Sequence, residues 1–135
     1  MKRLFTIIFI VIAAQSSYAQ STTIPLTVKT AFEGIWQYSV KYETNTVKIH
    51  FEPGTDYALF TDDGSGMAPA KTVKANVNGK LLIIPAIQNE NDEVELEIIN
   101  KKLHLRATPV LWDEKGNRIG SQDSLKVHRV FKRIK

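Results

Sequence analysis

Apolar and polar residues alternate with a period of two along most of the chain from residue 34 onward. In the first predicted strand, residues 34–42, the side chains of Trp36, Tyr38, Val40 and Tyr42 share one face. This period is typical of β-strands with one buried face, and no segment repeats apolar residues at helical spacing over three turns. The sequence therefore predicts an all-β fold in which any helix is a single turn.

Turn-forming residues divide this pattern into about eight strands. The predicted strands are 34–42, 47–51, 57–61, 71–77, 81–84, 93–98, 103–107 and 125–134. Because consecutive strands are joined by short connections, they favour an antiparallel up-and-down meander, and closing the meander into a barrel leaves no long unpaired edge. A sandwich of two sheets is the alternative.

One hairpin is predicted from its turn residues. Asn78 and Gly79 both accept the positive φ that a type I′ turn requires, so they are expected to join residues 73–77 to residues 81–84. Pro85 follows at once and is expected to end the pairing or to mark an edge or a bulge, because proline has no N–H to donate to a neighbouring strand.

The register of a second hairpin follows from the alternation itself. If Asn100 and Lys101 form a two-residue turn, every apolar residue of 93–98 faces an apolar residue of 103–107, and the acidic residues face basic residues or histidine. A shift by one residue would destroy both matches. The expected pairs are Ile98 with Leu103, Leu96 with Leu105, Val94 with Ala107, Glu97 with His104 and Glu95 with Arg106.

The first nineteen residues have the features of a secretory signal peptide. Lys2 and Arg3 precede an apolar run, residues 4–14, and Ser17 and Ala19 are the small residues that signal peptidase needs. The run is shorter than the roughly twenty residues that span a bilayer. We therefore expect a signal peptide at 1–19, an extended N-terminal arm at 20–31 and a β-barrel domain at 32–135, exported by a bacterium to the periplasm or the extracellular space.

Composition and charge narrow the picture further. The chain has no cysteine, which excludes disulfides and a lipid-bearing cysteine at the cleavage site. Residues 20–97 hold six lysines and eleven acidic residues, whereas residues 98–135 hold ten basic and three acidic residues. We expect these two segments to pair with each other within the fold. Binding of a polyanion by the basic stretch 126–133 is the alternative.

The residues with catalytic or metal-binding potential are scattered. His50, His104 and His128 fall in three different strands, so no metal site is predicted, and the acidic residues of 62–66 are interpreted as a turn rather than a calcium loop. The chain has neither a cysteine nor a G-x-S-x-G motif for nucleophilic catalysis. The sequence therefore predicts neither an enzyme nor a cofactor.

The two ends of the predicted barrel carry a family resemblance. The stretch Phe32-Glu33-Gly34-Ile35-Trp36 in the first strand, with Arg129-Val130-Phe131 in the last, resembles the calycin group of lipocalin-like and fatty-acid-binding-like barrels. The resemblance implies that Gly34 permits close packing and that Trp36 closes one end of the barrel beneath an arginine. That arginine is expected to be Arg129, with Arg133 as the substitute.

The sequence also departs from the fatty-acid-binding pattern. Only residues 43–46 separate the first two strands, which leaves no room for a two-helix lid. An arginine and a tyrosine two residues apart hold the ligand carboxylate in those proteins, and here they correspond to Arg129 and Phe131. Because Phe131 has no hydroxyl, this departure argues against a carboxylate ligand.

The expected function is binding of a small apolar or amphipathic molecule inside a lipocalin-like barrel, with no nucleic-acid partner and no membrane span. The alternative is a packed β-domain that interacts through its surface with envelope partners, polyanions or glycans. The expected ligand-binding residues are Trp36 and Tyr38 low in the cavity, Tyr57 and Phe60 on its wall, Arg129 as a polar anchor, and Phe131.

Overall fold

The computed structural model describes residues 23–64 and 68–135, so the predicted signal peptide lies outside the described residues. Apart from one short helix and a 3₁₀ turn at Asp123–Leu125, the regular structure consists of strands. The elements are α1 (Leu26–Phe32), β1 (Gly34–Val40), β2 (Glu43–His50), β3 (Tyr57–Gly64), β4 (Lys71–Asn78), β5 (Leu81–Ile84), β6 (Glu93–Ile99), β7 (Lys102–Thr108), β8 (Val110–Trp112), β9 (Arg118–Ser121) and β10 (Val127–Arg133).

Eight of the strands form a closed barrel in the order β1-β10-β7-β6-β5-β4-β3-β2, and every neighbouring pair is antiparallel. The remaining two, β8 and β9, form a separate hairpin inserted between β7 and β10. The predicted antiparallel barrel is confirmed, and the sandwich alternative is wrong.

The β6–β7 hairpin has the register that the alternation predicts. Its two turn residues, Asn100 and Lys101, have φ of 50° and 62°, which matches the left-handed pair of a type I′ turn. The apolar partners all point into the barrel, and the charged partners all point outward. The observed pairs are Val94 with Ala107, Leu96 with Leu105, Ile98 with Leu103, Glu95 with Arg106 and Glu97 with His104.

The β4–β5 hairpin forms as predicted, but its turn lies one residue later. Asn78 pairs with Leu81, so the turn residues are Gly79 and Lys80, and the positive φ of 60° falls on the glycine at the first turn position. That placement fits a type II′ turn rather than the predicted type I′. The observed register puts Val77 opposite Leu82 instead of Lys80, so two apolar side chains meet inside the barrel.

Helix α1 covers one end of the barrel. Phe32 is buried in the core there, and Val28 and Ala31 pack against it. The segment 20–31 was expected to be an extended arm, and that expectation is wrong for the part from Leu26 onward. A seven-residue helix with two threonines and a valine has little intrinsic stability, so its contacts with the barrel determine its conformation.

The two ends of the barrel differ in what covers them. We call the end beneath α1 the sealed end; the turns 79–80 and 100–101 also lie there. The opposite end carries the β1–β2 turn, the β3–β4 connection, residues 85–92 and the β8–β9 hairpin, and we call it the open end.

Two parts of the barrel wall are paired only over a short length. Strands β1 and β10 register in two pairs, Trp36 with Arg133 and Gln37 with Lys132, and we call this the seam. Strand β5 ends at Ile84 and pairs with only the last three residues of β4. Residues 71–75 of β4 therefore pair with β3 alone among the described residues, and residues 85–92 lie beside them.

Candidate functional site: the open end of the barrel

At the sealed end, Trp36 fills the barrel. Its side chain is only 1% exposed, and its Nε1 donates a hydrogen bond to the carbonyl oxygen of Phe32 at 2.8 Å. The guanidinium carbon of Arg133 lies 4.7 Å from the centre of the indole ring. The same guanidinium donates to the carbonyl oxygens of Thr30 and Ala31, at 3.2 Å and 2.6 Å, in the last turn of α1. Arg133 therefore joins the helix to the indole ring.

Arg129 was expected over Trp36, and the structure corrects that expectation. Arg129 and Arg133 are on the same strand face, but four residues of strand separate them by about 13 Å. Register places Arg133 beside Trp36, whereas Arg129 lies 5.2 Å from the ring centre of Tyr38, toward the open end. There it forms an ion pair with Glu43 at 3.1 Å. Arg133, the expected substitute, takes the position over the indole.

Gly34 lies where the backbone of the C-terminal residues crosses β1. Its φ is 141°, and a Cβ at this position would be 2.4 Å from the carbonyl oxygen of Lys135. That oxygen accepts a hydrogen bond from the N–H of Ile35 at 2.9 Å. A residue without a side chain is therefore required for this backbone contact at the sealed end.

The open end contains a cavity of about 350 Å³ inside the barrel. Its wall is mostly apolar and comes from four consecutive strands, β3 to β6. The residues that matter to its chemistry are Phe60, Val73, Ile84 and Val94, with the polar side chains of Asp62, Lys71 and Asn91.

The structure places the other predicted ligand-binding residues in three different environments. Tyr38 and Phe131 contact each other inside the barrel, with ring centres 5.8 Å apart, in the half that holds Arg129. Trp36 belongs to the sealed end. Tyr57 lies on the outer face of β3, where the Nζ of Lys74 is 4.4 Å from its ring centre. The expectation that Tyr57 lines the cavity is wrong, because Phe60 is three residues away and so faces the opposite side of the strand.

A buried polar pair crosses the inside of the barrel beside the cavity. Asn45 of β2 is only 9% exposed, and its Nδ2 donates to Oδ1 of Asp62 at 3.3 Å. The same Oδ1 accepts the backbone N–H of Gly64 at 2.8 Å. The Oδ1 of Asn45 is buried, and no donor within the described residues reaches it. Neither residue was expected inside the barrel, although Asn45 alternates with Val47 and Ile49 and thus shares their inward face.

A second amide at the cavity shows the same pattern. Asn91, in the connection between β5 and β6, lines the cavity. Its Nδ2 donates to the carbonyl oxygens of Pro85 and Asp92, at 2.8 Å and 2.9 Å. Its Oδ1 is buried and likewise has no donor among residues 23–64 and 68–135. Asn91 thus lines the cavity and Asn45 contacts the lining residue Asp62, and each amide has a buried oxygen without a donor among the described residues.

The basic groups near the open end have acceptors of their own. The Nζ of Lys71, on the rim, donates to the carbonyl oxygen of Glu90 at 3.4 Å. Arg129 is paired with Glu43. The two charged residues that line the cavity, Asp62 and Lys71, have opposite charges and are cross-strand neighbours on β3 and β4.

Three further ion pairs lie on the outer wall. Arg106 contacts both Glu95 and Glu97, and these hydrogen bonds raise its pKa above the usual value. Arg118 pairs with Glu93 and thereby attaches the β8–β9 hairpin to β6. Like the pair of Arg129 with Glu43, each of these contacts joins the acidic segment 20–97 to the basic segment 98–135, as expected from the charge distribution.

The histidines lie on the outer wall rather than at the cavity. Nδ1 of His104 and Nε2 of His128 are 2.9 Å apart, and His50 contacts Glu33 at 2.9 Å. Desolvation, followed by the charges of His128 and Arg106, lowers the pKa of His104 below its usual value. In the part of the chain that the structure describes, no three potential ligands converge as a metal site would require.

Comparisons with family models, curated proteins and solved structures gave no match. Across residues 23–64 and 68–135, no helix has the length and apolar character needed to cross a membrane.

Proposed function

We propose that this protein is an exported, non-catalytic, lipocalin-like carrier that binds one small apolar or amphipathic molecule in the open end of its barrel. The observation that carries the proposal is the asymmetry of the interior. One end is filled by Trp36 and covered by α1, while the other holds a cavity of about 350 Å³. Ligand pockets in proteins usually measure about 300–1,000 Å³, so the cavity fits a small ligand.

The composition of the wall supports the same proposal. Phe60, Val73, Ile84 and Val94 present aromatic and aliphatic surface to the cavity, with few polar groups among them. Ligand sites are typically built in this way, with apolar surface supplying affinity and a few polar atoms fixing the orientation. An eight-stranded barrel is also the size at which the interior either packs solid or holds one small ligand.

The polar groups at the cavity favour binding over catalysis. Asp62 and Asn91 line it, and neither is paired with a histidine, serine or lysine in the geometry of an activated nucleophile among the described residues. The three histidines are engaged on the outer wall. We therefore assign the cavity a binding role.

A cavity-filling substitution tests the proposal. The mature chain is titrated with the neutral dye N-phenylnaphthylamine, whose fluorescence rises in apolar surroundings, and a saturable rise is expected. Val94→Phe places a larger side chain in the cavity and should weaken binding at least tenfold. Val130→Phe, on the outer face of β10, is the matched control and should bind like the unchanged chain.

Circular dichroism of both variants establishes that they fold. Absence of a saturable signal with the unchanged chain would refute the proposal. Equal loss of binding in the two folded variants would refute it as well, because the dye would then bind somewhere other than the cavity.

A further inference from the structure

We infer that the sealed end of the barrel docks on an anionic lipid surface, by electrostatic attraction and without entering the hydrocarbon core. The docking surface consists of five lysines and two isoleucines, and we call it the basic face. Its members are Lys80, Lys101, Lys102, Lys132 and Lys135, with Ile99 and Ile134.

Two of these lysines face each other across neighbouring strands. The register of β7 with β10 runs to Leu103 opposite Phe131, and both of these side chains are buried in the barrel. The next residues in that register, Lys102 and Lys132, therefore lie opposite each other and point outward. Like charges directly opposite each other in a sheet are destabilising. The pair thus lowers the stability of the barrel, and an anionic partner would offset its repulsion.

The other three lysines surround this pair. Lys101 is in the β6–β7 turn directly before Lys102, and Lys80 is in the β4–β5 turn at the same end of the barrel. Beyond β10 the chain continues to Lys135, whose carbonyl oxygen accepts the N–H of Ile35 at the start of β1. All five lysines are exposed, and none forms an ion pair within residues 23–64 and 68–135.

Acidic residues near the sealed end do not neutralise the basic face. Glu97, two residues before Ile99 on the outer face of β6, is already paired with Arg106. Glu33 contacts His50. The two acidic residues of the connection 51–56 follow β2, on the opposite side of the barrel from β7. Positive charge therefore accumulates on the basic face.

The open end has the opposite charge. The charged residues there that have no ion pair among the described residues include more acids than lysines. They are Asp62, Asp63, Glu90, Asp92, Asp113, Glu114 and Asp123, with Lys41, Lys71, Lys115 and Lys126. An anionic surface thus attracts the sealed end and repels the open end. Docking in this orientation leaves the cavity facing the water.

The two isoleucines favour a bilayer over a nucleic acid as the partner. Ile99 pairs with Lys102 and is 37% exposed, while Ile134 precedes Lys135 and is 51% exposed. Aliphatic side chains among lysines gain from contact with the interfacial region of a bilayer. Surfaces that bind single-stranded nucleic acids typically stack the bases on aromatic side chains, and the basic face has none.

Vesicle sedimentation tests the inference. The mature chain is mixed with sucrose-loaded vesicles of phosphatidylcholine alone or with about one-third phosphatidylglycerol. Binding is expected with the anionic vesicles only, and it should weaken as salt is added, because salt screens the attraction. Each lysine near an anionic bilayer strengthens binding roughly fivefold, so Lys102→Gln combined with Lys132→Gln should weaken binding at least tenfold.

Lys41→Gln combined with Lys115→Gln is the matched control. It removes the same charge from exposed positions at the open end and should bind like the unchanged chain. Circular dichroism establishes that both double variants fold. Thermal unfolding of Lys102→Gln with Lys132→Gln should show no loss of stability, because the substitutions remove a repulsion. Should that variant nevertheless unfold, Lys80→Gln with Lys101→Gln replaces it and must show the same loss of binding.

Four results would overturn the inference. They are absence of binding, equal binding to both kinds of vesicle, equal loss in the lysine variants of the two ends, and a soluble polyanion as the partner. Heparin that binds as tightly as the anionic vesicles, with no effect of Ile99→Ser on either, would identify such a polyanion. None of these measurements involves the cavity or the dye, so the proposed function stands or falls separately.

Discussion

The sealed and open ends of this barrel are made from the same eight strands, but they differ in whether their polar atoms have hydrogen-bond partners. At the sealed end the indole N–H, the guanidinium of Arg133 and the last carbonyl oxygens of α1 all have partners. At the open end the amide oxygens of Asn45 and Asn91 have none within the described residues. The sealed end is therefore built for stability, whereas the open end retains unpaired acceptors beside the cavity at which we propose that a ligand binds.

This contrast shows why a tryptophan and an arginine are effective in closing a barrel. The indole fills the width of the barrel, and the arginine over its face makes both a cation–π contact and hydrogen bonds to the helix above it. Nearer the open end, Tyr38 and Arg129 form a similar aromatic–arginine contact, but Arg129 also pairs with Glu43, and no helix among the described residues covers it.

The largest effect on stability is expected at Trp36. Trp36→Ala removes the side chain that fills the sealed end and should lower the free energy of unfolding by about 3–5 kcal/mol. Tyr38→Ala, nearer the open end and only half-buried, should cost clearly less. Urea denaturation followed by circular dichroism measures both, and equal losses would contradict the contrast between the two ends.

Gly34→Ala is expected to have the next largest effect. The alanine would have to keep the strained positive φ of Gly34, and its Cβ would overlap the carbonyl oxygen of Lys135, at a cost of about 3 kcal/mol. Gly54→Ala is the matched control, because Gly54 also has positive φ, at 80°, but has open space around it. Thermal unfolding should rank the control above Gly34→Ala, and the reverse order would exclude the backbone contact as the cause.

The two arginines of β10 allow a direct comparison of the ends. Arg133→Ala removes the contact with Trp36 and the hydrogen bonds to α1, so it should cost about 2 kcal/mol. Arg129→Ala loses one half-exposed ion pair and a longer contact with the Tyr38 ring, and it should cost less, about 1 kcal/mol. If Arg129→Ala proves the more destabilising in urea, then Arg133 is not the residue that seals the barrel.

Asn45→Leu should change stability little in spite of its burial. The substitution removes an unpaired amide oxygen, which offsets the loss of the 3.3 Å hydrogen bond to Asp62, so the expected change is about 1 kcal/mol or less. A loss as large as that of Trp36→Ala would show that the hydrogen bond to Asp62 contributes far more to stability than the unpaired oxygen costs.

The smallest effect concerns pH and the histidine pair on the wall. Because the pKa of His104 is lowered in the folded chain, the unfolded chain binds more protons between that lowered pKa and about 6.5. The free energy of unfolding should therefore fall as pH decreases through this range. His104→Gln should flatten the decline, while His50→Gln, whose partner is Glu33, should leave the contribution of His104 in place.

Alternation along the strands was sufficient to predict much of the wall. On the inner face of β6 and β7 apolar residues pair with apolar residues, and on the outer face Glu95 and Glu97 pair with Arg106 and His104. Only one register of the two strands produces both sets of pairs. The position of the turn after β4 was predicted one residue too early. Asn78 and Gly79 suit a type I′ turn locally, but the pairing of Val77 with Leu82 places the turn at Gly79 and Lys80.

The structure of the sealed end could not be predicted from the alternation of apolar and polar residues, because it depends on tertiary contacts. Arg129 and Arg133 share a strand face, so alternation cannot determine which of them lies beside Trp36. Helix α1 has weak helical propensity, and it is stabilised by Phe32 in the core and by Arg133 at its last turn.

The inward positions of Asn45 and Asp62 were not predicted, because β2 and β3 extend further toward the open end than the turn residues suggested. Strand β2 begins at Glu43 and β3 continues to Gly64, so residues assigned to turns become inward-facing strand residues. Asn45 and Asp62 thereby come to lie inside the barrel. The inward parity of Asn45 with Val47 was the available signal, and it conflicted with the usual assignment of polar residues to loops.

The short seam also has a consequence for the order of folding. The β6–β7 hairpin joins residues a few positions apart, so its formation costs little chain entropy, whereas Trp36 and Arg133 are almost a hundred residues apart in the chain. The hairpins are therefore expected to form first and the seam to close last. Because the registered pairing of β1 with β10 stops at Gln37 and Lys132, the native barrel should open most readily beyond these residues, toward the open end, and the backbone amides of β1 there that face β10 should exchange with solvent before those of β6 and β7.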